Sequence, residues 1–152
     1  MKVAILYGTE SGNAELLCDD IKDEIGEEHD CEISSLADVT PADLEPETFY
    51  IFVTATHGNG DLPANAAGFR DTLEEERPDL SEINFAIFGL GDMVFAETFN
   101  QGSEKLMTEL LACKAQQVGE RGIHDASTGE PPEDIALPWV RACFDGLLAK
   151  AA

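Results

Sequence analysis

Three short segments concentrate the residues of this sequence that are equipped to hold a ligand. The first is Gly8-Thr9-Glu10-Ser11-Gly12-Asn13-Ala14-Glu15. Its small residues let a backbone wrap closely, and Thr9, Ser11 and Asn13 bring side-chain donors. Where such a turn runs into a helix, the free N–H groups of the first helical turn point at a bound anion. The segment therefore reads as a phosphate cradle built without Lys or Arg, with an ordinary capped strand-to-helix turn as the alternative. It is neither GxxxxGKS/T, since no Lys follows Gly12, nor GxGxxG, which argues against an NTPase. The second segment, Thr54-Ala55-Thr56-His57-Gly58-Asn59-Gly60-Asp61-Leu62-Pro63, combines hydroxyls, one flat ring and a flexible Gly-Asn-Gly. The third, Gly89-Leu90-Gly91-Asp92-Met93-Val94-Phe95, continues through Phe99-Asn100-Gln101-Gly102 and again sets aromatic rings after glycines. Together they supply a phosphate site and two aromatic-bearing walls, the requirements of a flat phosphorylated ligand.

The elements that must position these segments alternate in type. Val3 to Tyr7, Phe49 to Val53 and Phe85 to Phe88 are short runs of apolar, β-branched and aromatic residues, as strands buried on both faces require. Cys31 to Leu36 reads as an edge strand. A last strand begins at Ala115 to Val118 and runs, with an interruption at Gly119 or Gly122, to Ile123. Between them lie helical patterns: Gly12 to Gly26 with Leu16, Leu17, Ile21 and Ile25; Ala64 to Glu76, stopped at Pro78; Ser103 to Cys113 with Leu106, Leu110 and Leu111 on one side. A final helix from Glu133 to Lys150 buries Trp139, Val140, Phe144 and Leu147, and Pro138 inside it predicts a kinked or separate first turn. Strands alternating with helices predict an α/β, doubly wound, three-layer sandwich around a five-stranded parallel sheet, as one domain over residues 1–152. In such sheets ligands sit outside the carboxyl ends of the strands. The loops after Tyr7, Val53 and Phe88, where the three segments lie, are there.

Composition narrows the class. The 152 residues carry 9 Lys and Arg against 31 Asp and Glu, a net charge of −22, and no Lys or Arg lies between Asp23 and Phe69. That field repels nucleic acid and anionic membranes and steers basic protein partners inward. The same acidity suits solubility or a high-salt environment, so charge alone names no partner. No apolar run reaches membrane-spanning length, and no basic leader precedes the first strand, so a soluble cytoplasmic monomer is expected. Cys18, Cys31, Cys113 and Cys143 form no CxxC or metal-ligand spacing and are expected as reduced, half-buried thiols.

At this point Tyr7 to Glu15, Thr54 to Asp61 and Phe88 to Asp92 resemble the three FMN loops of flavodoxins. The nearest pattern is that of short MioC-type flavodoxins and the FMN domains of diflavin reductases. The likeness extends along the chain to Pro132-Glu133-Asp134 and Trp139. It implies a flavodoxin-like sheet of strand order 2-1-3-4-5. It also implies that Thr9, Glu10, Ser11, Gly12, Asn13 and Ala14 hold the FMN phosphate, and that Thr54, Ala55 and Thr56 line the ribityl chain and ring. His57 would lie near the inner flavin face, and the Gly58-Asn59 peptide is the candidate for turning a carbonyl toward the ring. Gly89, Leu90, Gly91 and Asp92 would contact the pyrimidine end through backbone groups. Two departures stand out. Ala14 replaces the hydroxyl residue of many flavodoxins, and Phe95 stands where the family usually stacks a Tyr. One extra residue separates Phe95 from Thr98-Phe99, so Phe95 and Phe99 compete for the outer wall beside Asn100. Asp125, after the last strand, is a further contact candidate.

The resemblance implies a low-potential one-electron carrier, not an enzyme, working between a flavodoxin-reductase-like donor and an unknown acceptor. Glu10, Asp61, Asp92 and Glu97 would form the rim that meets basic docking faces. A small quinone or nitro reductase is the flavin-using alternative, and a flavin-free interaction module is the non-redox one. A phosphorylation-type response regulator needs acids where Gly8-Thr9 and Thr54-Ala55 stand.

Overall fold

The computed structural model describes residues 2–8, 13–55, 64–91, 101–125 and 128–151. Strand β1 (Lys2–Gly8) leads to α1 (Asn13–Ile25), β2 (Asp30–Ser35), two short 3-10 turns, β3 (Thr48–Ala55) and α2 (Ala64–Glu76). Then come β4 (Asn84–Gly91), α3 (Gln101–Ala112), the short strands β5 (Gln116–Gln117) and β6 (Gly122–Asp125), and α4 (Pro132–Ala151). All strand pairs are parallel, in the order β2-β1-β3-β4. The position beyond β4 is shared by β5 and β6, which pair with its two ends. The sheet is thus the five-stranded flavodoxin-like one in the order 2-1-3-4-5, with its last strand interrupted. Gly119 makes that interruption at φ +74°, a region that costs a non-glycine residue steric energy.

The alternation along the strands explains the three layers. Ile5, Ile51, Val53, Ala86 and Phe88 pack on one face with Ala14, Leu17, Cys18, Ile21 and Ile25 of α1 and Val140, Cys143, Phe144 and Leu147 of α4. Leu6, Tyr50, Phe52, Phe85 and Ile87 pack on the other with Phe69 and Leu73 of α2 and Leu106 and Leu110 of α3. A strand that feeds two cores must be apolar at consecutive positions, which is the pattern of β3 and β4.

Two expected core leucines are on the outside: Leu16 is 65% and Leu111 44% exposed. The buried stripe of α1 runs Ala14, Leu17, Cys18, Ile21, Ile25, each three or four residues from another member of the stripe, and Leu16 falls beside it. Pro138 does not break the last helix, which is continuous over Pro132–Ala151. Its cost is the missing N–H that would bond the carbonyl one turn back. Pro132 sits at the helix start, where the ring is preorganised. The four cysteines are free and buried, deeper than expected. Burial pushes the Cys143 thiol up to about 11 and the Cys18 thiol higher still, so neither is a ready nucleophile.

The two helices of the first face are clasped across 117 residues of sequence. Arg141 donates from Nε to Glu24 Oε1 at 3.0 Å, from Nη1 to Glu28 Oε2 at 2.9 Å, and from Nη2 to the Glu24 carbonyl at 2.7 Å. Beside this clasp the His29 ring stacks on Phe144, centroids 4.5 Å apart and 11° from parallel.

Candidate functional site

The register brings the three segments of interest to one edge. Gly8 pairs with Thr54, Thr54 with Gly89, and Gly89 with Ile123, so the carboxyl ends of β1, β3, β4 and β6 lie side by side. Helix α1 opens at Asn13, five residues beyond the Gly8 end of this row. The unpaired N–H groups of its first turn are the ones available to an anion.

The row has a distinctive composition. Gly8 cannot carry a side chain, because a Cβ there would stand 2.5 Å from the Ala66 Cβ of α2. Gly89 carries none on the other flank. Between them Thr54 is fully buried, and its hydroxyl is one of the few buried side-chain groups without a hydrogen-bond partner among the described residues. An unpaired buried hydroxyl costs about 1–3 kcal/mol. Such a cost at the carboxyl end of a strand leaves the hydroxyl available to a ligand. A hydroxyl donor between two side-chain-free positions, beside a helix start, fits close approach of a polar, anionic ligand, and the FMN that the resemblance implies is of that kind.

Other residues of the edge define what it cannot do. Ala14 is fully buried in the α1–α4 core, so only its backbone N–H can serve a phosphate. Leu90 is likewise in that core and offers backbone groups only. Tyr7 is half-buried on the α1 face, and burial followed by the charge of Glu15 raises its phenol above the usual value, keeping it neutral. Asp20 in α1 is raised by burial and then by Glu133, Asp23 and Asp19, a direct sign of crowded carboxylates along this face. Asp125 closes β6, and its carbonyl accepts from Thr128 Oγ1 at 3.0 Å. Among the described residues no His, Cys, Asp or Glu grouping could hold a metal, and no helix is long and apolar enough to cross a membrane.

Thr9, Glu10, Ser11, Gly12, Thr56, His57, Gly58, Asn59, Asp61, Asp92, Phe95, Glu97, Phe99 and Asn100 lie outside the described residues, and of Asn13, Ala55 and Gly91 the backbone alone is described. The strand ends that carry these segments converge; the competition between Phe95 and Phe99 is untouched. Two residues at this edge carried no signal in sequence. Ser103, in the first turn of α3, is fully buried, and its Oγ accepts from Arg121 Nη1 at 2.8 Å. Eighteen residues separate them, so only the fold brings them together.

The comparisons with known proteins agree with this geometry. The family model described as Flavodoxin matches residues 5–139. Protein MioC of Escherichia coli (strain K12) is 30% identical over 138 residues, covering 91% of this chain and 92% of its own. The NADPH-dependent diflavin oxidoreductase 1 of Emericella nidulans is 34% identical over 154 residues, 96% of this chain; the chain spans only 23% of that relative's length. Among solved structures, a cysteine-to-serine mutant of Flavodoxin from Pseudomonas aeruginosa superposes with a TM-score of 0.83 at 26% identity, covering 97% and 99% of the two chains. Flavodoxin 2 from Bacillus cereus does so with a TM-score of 0.79 at 26% identity, over 99% of each.

Proposed function

The chain belongs to the flavodoxin family, and on that premise we propose that it holds one FMN at the Gly8–Thr54–Gly89 edge and carries single electrons between a donor flavoprotein and an acceptor protein. The observation that carries this reading is the row itself: three strand ends in register, side-chain-free on both sides of a buried hydroxyl that has no partner among the described residues. When bound, the isoalloxazine ring supplies the one-electron chemistry. The chain's own part is binding and tuning. Residues 9–14 hold the phosphate with hydroxyls and backbone N–H groups. Thr54 and its neighbours orient the ribityl chain, and the segment from Gly89 reads the pyrimidine end. Either Phe95 or Phe99 covers the outer ring face and excludes water.

The acidic surface gives the second function, recognition. With a net charge of −22 and Glu10, Asp61, Asp92 and Glu97 on the loops of the site, a partner with a basic docking face is drawn to the flavin edge. The likeness to an NADPH-dependent diflavin oxidoreductase supports a donor fed by a nicotinamide nucleotide, as a separate protein or a linked domain. Catalysis by the domain alone is not required. The deciding experiment is reconstitution with FMN followed by absorption spectroscopy and reductive titration. Bound flavin bands, with no steady NADPH oxidation until a flavodoxin reductase is added, support the carrier. A colourless protein makes it an interaction module, and unaided NADPH turnover makes it a reductase.

A further inference from the structure

The α2–α3 layer holds a groove of about 270 Å³, lined by Arg70 of α2 and by Glu104, Lys105, Thr108 and Glu109 of α3. The two helices meet through their buried stripes, Phe69 and Leu73 with Leu106 and Leu110, and the lining residues stand one or two positions along from them. Glu109 is already engaged, accepting from Arg77 Nη1 at 3.0 Å. Thr108 Oγ1 donates to the Glu104 carbonyl at 2.9 Å, so what the hydroxyl has left to offer is acceptor capacity. Arg70 is the group without a match. Its side chain is 32% exposed, and the carboxylates of Asp71 and Glu74 stand 3.8 Å from its Nη atoms, beyond hydrogen-bond reach. Its Nε is buried and has no hydrogen-bond partner among the described residues. A buried N–H on a charged group is costly to leave unpaired.

A guanidinium presents its N–H groups in a planar fork that matches a carboxylate. Lys105, on the same wall, adds to the attraction for a negative group. A bare anion, however, would meet the Glu104 carboxylate, and a bare cation would meet Arg70 and Lys105. A groove lined by both signs suits a ligand that carries both. We propose that this groove binds a small zwitterion of the amino-acid type, its carboxylate on the Arg70 guanidinium and its ammonium on the Glu104 carboxylate and the Thr108 hydroxyl. Every group it uses lies on α2 or α3, whose cores pack on the sheet face opposite to α1 and α4, so the proposal does not rest on the FMN reading.

The test follows backbone amide NMR shifts of the full chain, as purified, during titration with L-alanine, acetate, ethylammonium and inorganic phosphate. L-alanine is expected to move the amides of 70–74 and 104–109 to saturation, and acetate and ethylammonium, each with half of its charge pattern, to bind about tenfold more weakly or worse. Arg70→Gln raises the L-alanine dissociation constant by about tenfold or more, and Glu104→Gln removes the preference for L-alanine over acetate. Lys22→Gln, on the exposed side of α1, leaves both unchanged. Because the contacts of Arg70 with Asp71 and Glu74 are long and partly exposed, Arg70→Gln is expected to unfold at the parent's temperature. Should it unfold lower, Arg70→Lys keeps the charge without the fork and is held to the same tenfold loss. No saturable shift over 70–74 and 104–109 with L-alanine, or an unchanged dissociation constant in the folded Arg70 variant, overturns the site. Phosphate or acetate binding as tightly as L-alanine overturns the zwitterion and leaves a plain anion groove.

Discussion

Replacing Thr54 by valine keeps the branched shape of the side chain and removes its hydroxyl. The site is fully buried, and glycines flank it in register on both sides, so the second methyl meets no neighbouring side chain across the sheet. Among the described residues the hydroxyl has no partner, so the exchange is expected to relieve an unsatisfied polar group and gain apolar burial. The expected gain is about 1 kcal/mol, within the range for a buried unpaired hydroxyl. For a chain of this size that raises the melting temperature by about 2–4 °C. With FMN the sign reverses. If the hydroxyl bonds the cofactor, valine forfeits one hydrogen bond of about 1 kcal/mol and the dissociation constant rises about fivefold. Thermal unfolding followed by circular dichroism measures the first effect, and flavin fluorescence during titration the second. A lower melting temperature without FMN would show that the hydroxyl is already paired. An unchanged FMN affinity would show that it serves the fold and not the ligand.

Gly8→Ala drives a methyl to 2.5 Å from the Ala66 Cβ, so it should cost about 1–3 kcal/mol by overpacking, and displace α2 enough to weaken FMN binding; equilibrium urea unfolding checks the first and flavin titration the second. The His29 ring, with a buried unpaired Nδ1 stacked on Phe144, has its pKa lowered from 6.5 chiefly by burial, with the amino terminus and Arg141 adding to it and Glu28 opposing. The unfolded chain therefore binds this proton first, so the contribution is complete above pH 6.5 and is lost as pH falls through the lower folded value. Stability curves of the parent and of His29→Asn should converge on acidification, and parallel curves would refute it. Each carboxylate about 10 Å from the ring disfavours the reduced anion by roughly 1.7 kcal/mol at an effective dielectric near 20, or about 70 mV for one electron. Added salt should accordingly raise the lower potential in a spectroelectrochemical titration, and a salt-independent value would place the acids too far away to matter.

The sheet is legible in the sequence because both its cores are written into consecutive apolar residues. Phe49 to Val53 can be nothing but a doubly buried strand, and α2 occupies Ala64–Glu76 as its pattern predicts. Expectation and structure part where residue type outruns geometry. Leu16 and Leu111 are apolar but turned off the buried stripe by one residue's rotation, and Leu106 and Leu110 already fill the buried side of α3. Pro138 weighs less than its type suggests, because tertiary packing of Val140, Cys143 and Phe144 holds the helix together across it. At the site, loop position is legible from glycines at strand ends. The unpaired Thr54 hydroxyl and the Arg121–Ser103 bond are not, since each depends on neighbours far along the chain.

The Arg141 clasp also bears on the order in which the molecule is assembled. Helix α1 precedes α4 by more than a hundred residues, so the Arg141 that grips its Glu24 carbonyl is synthesised well after it. At synthesis rates of about 5–20 residues per second, the interval between the two is on the order of ten seconds. Throughout it Ile21, Ile25 and Phe49 lack the Phe144 and Leu147 lid. Until α4 is made, the growing chain is thus a sticky intermediate whose first helix and central strand lack their apolar cover.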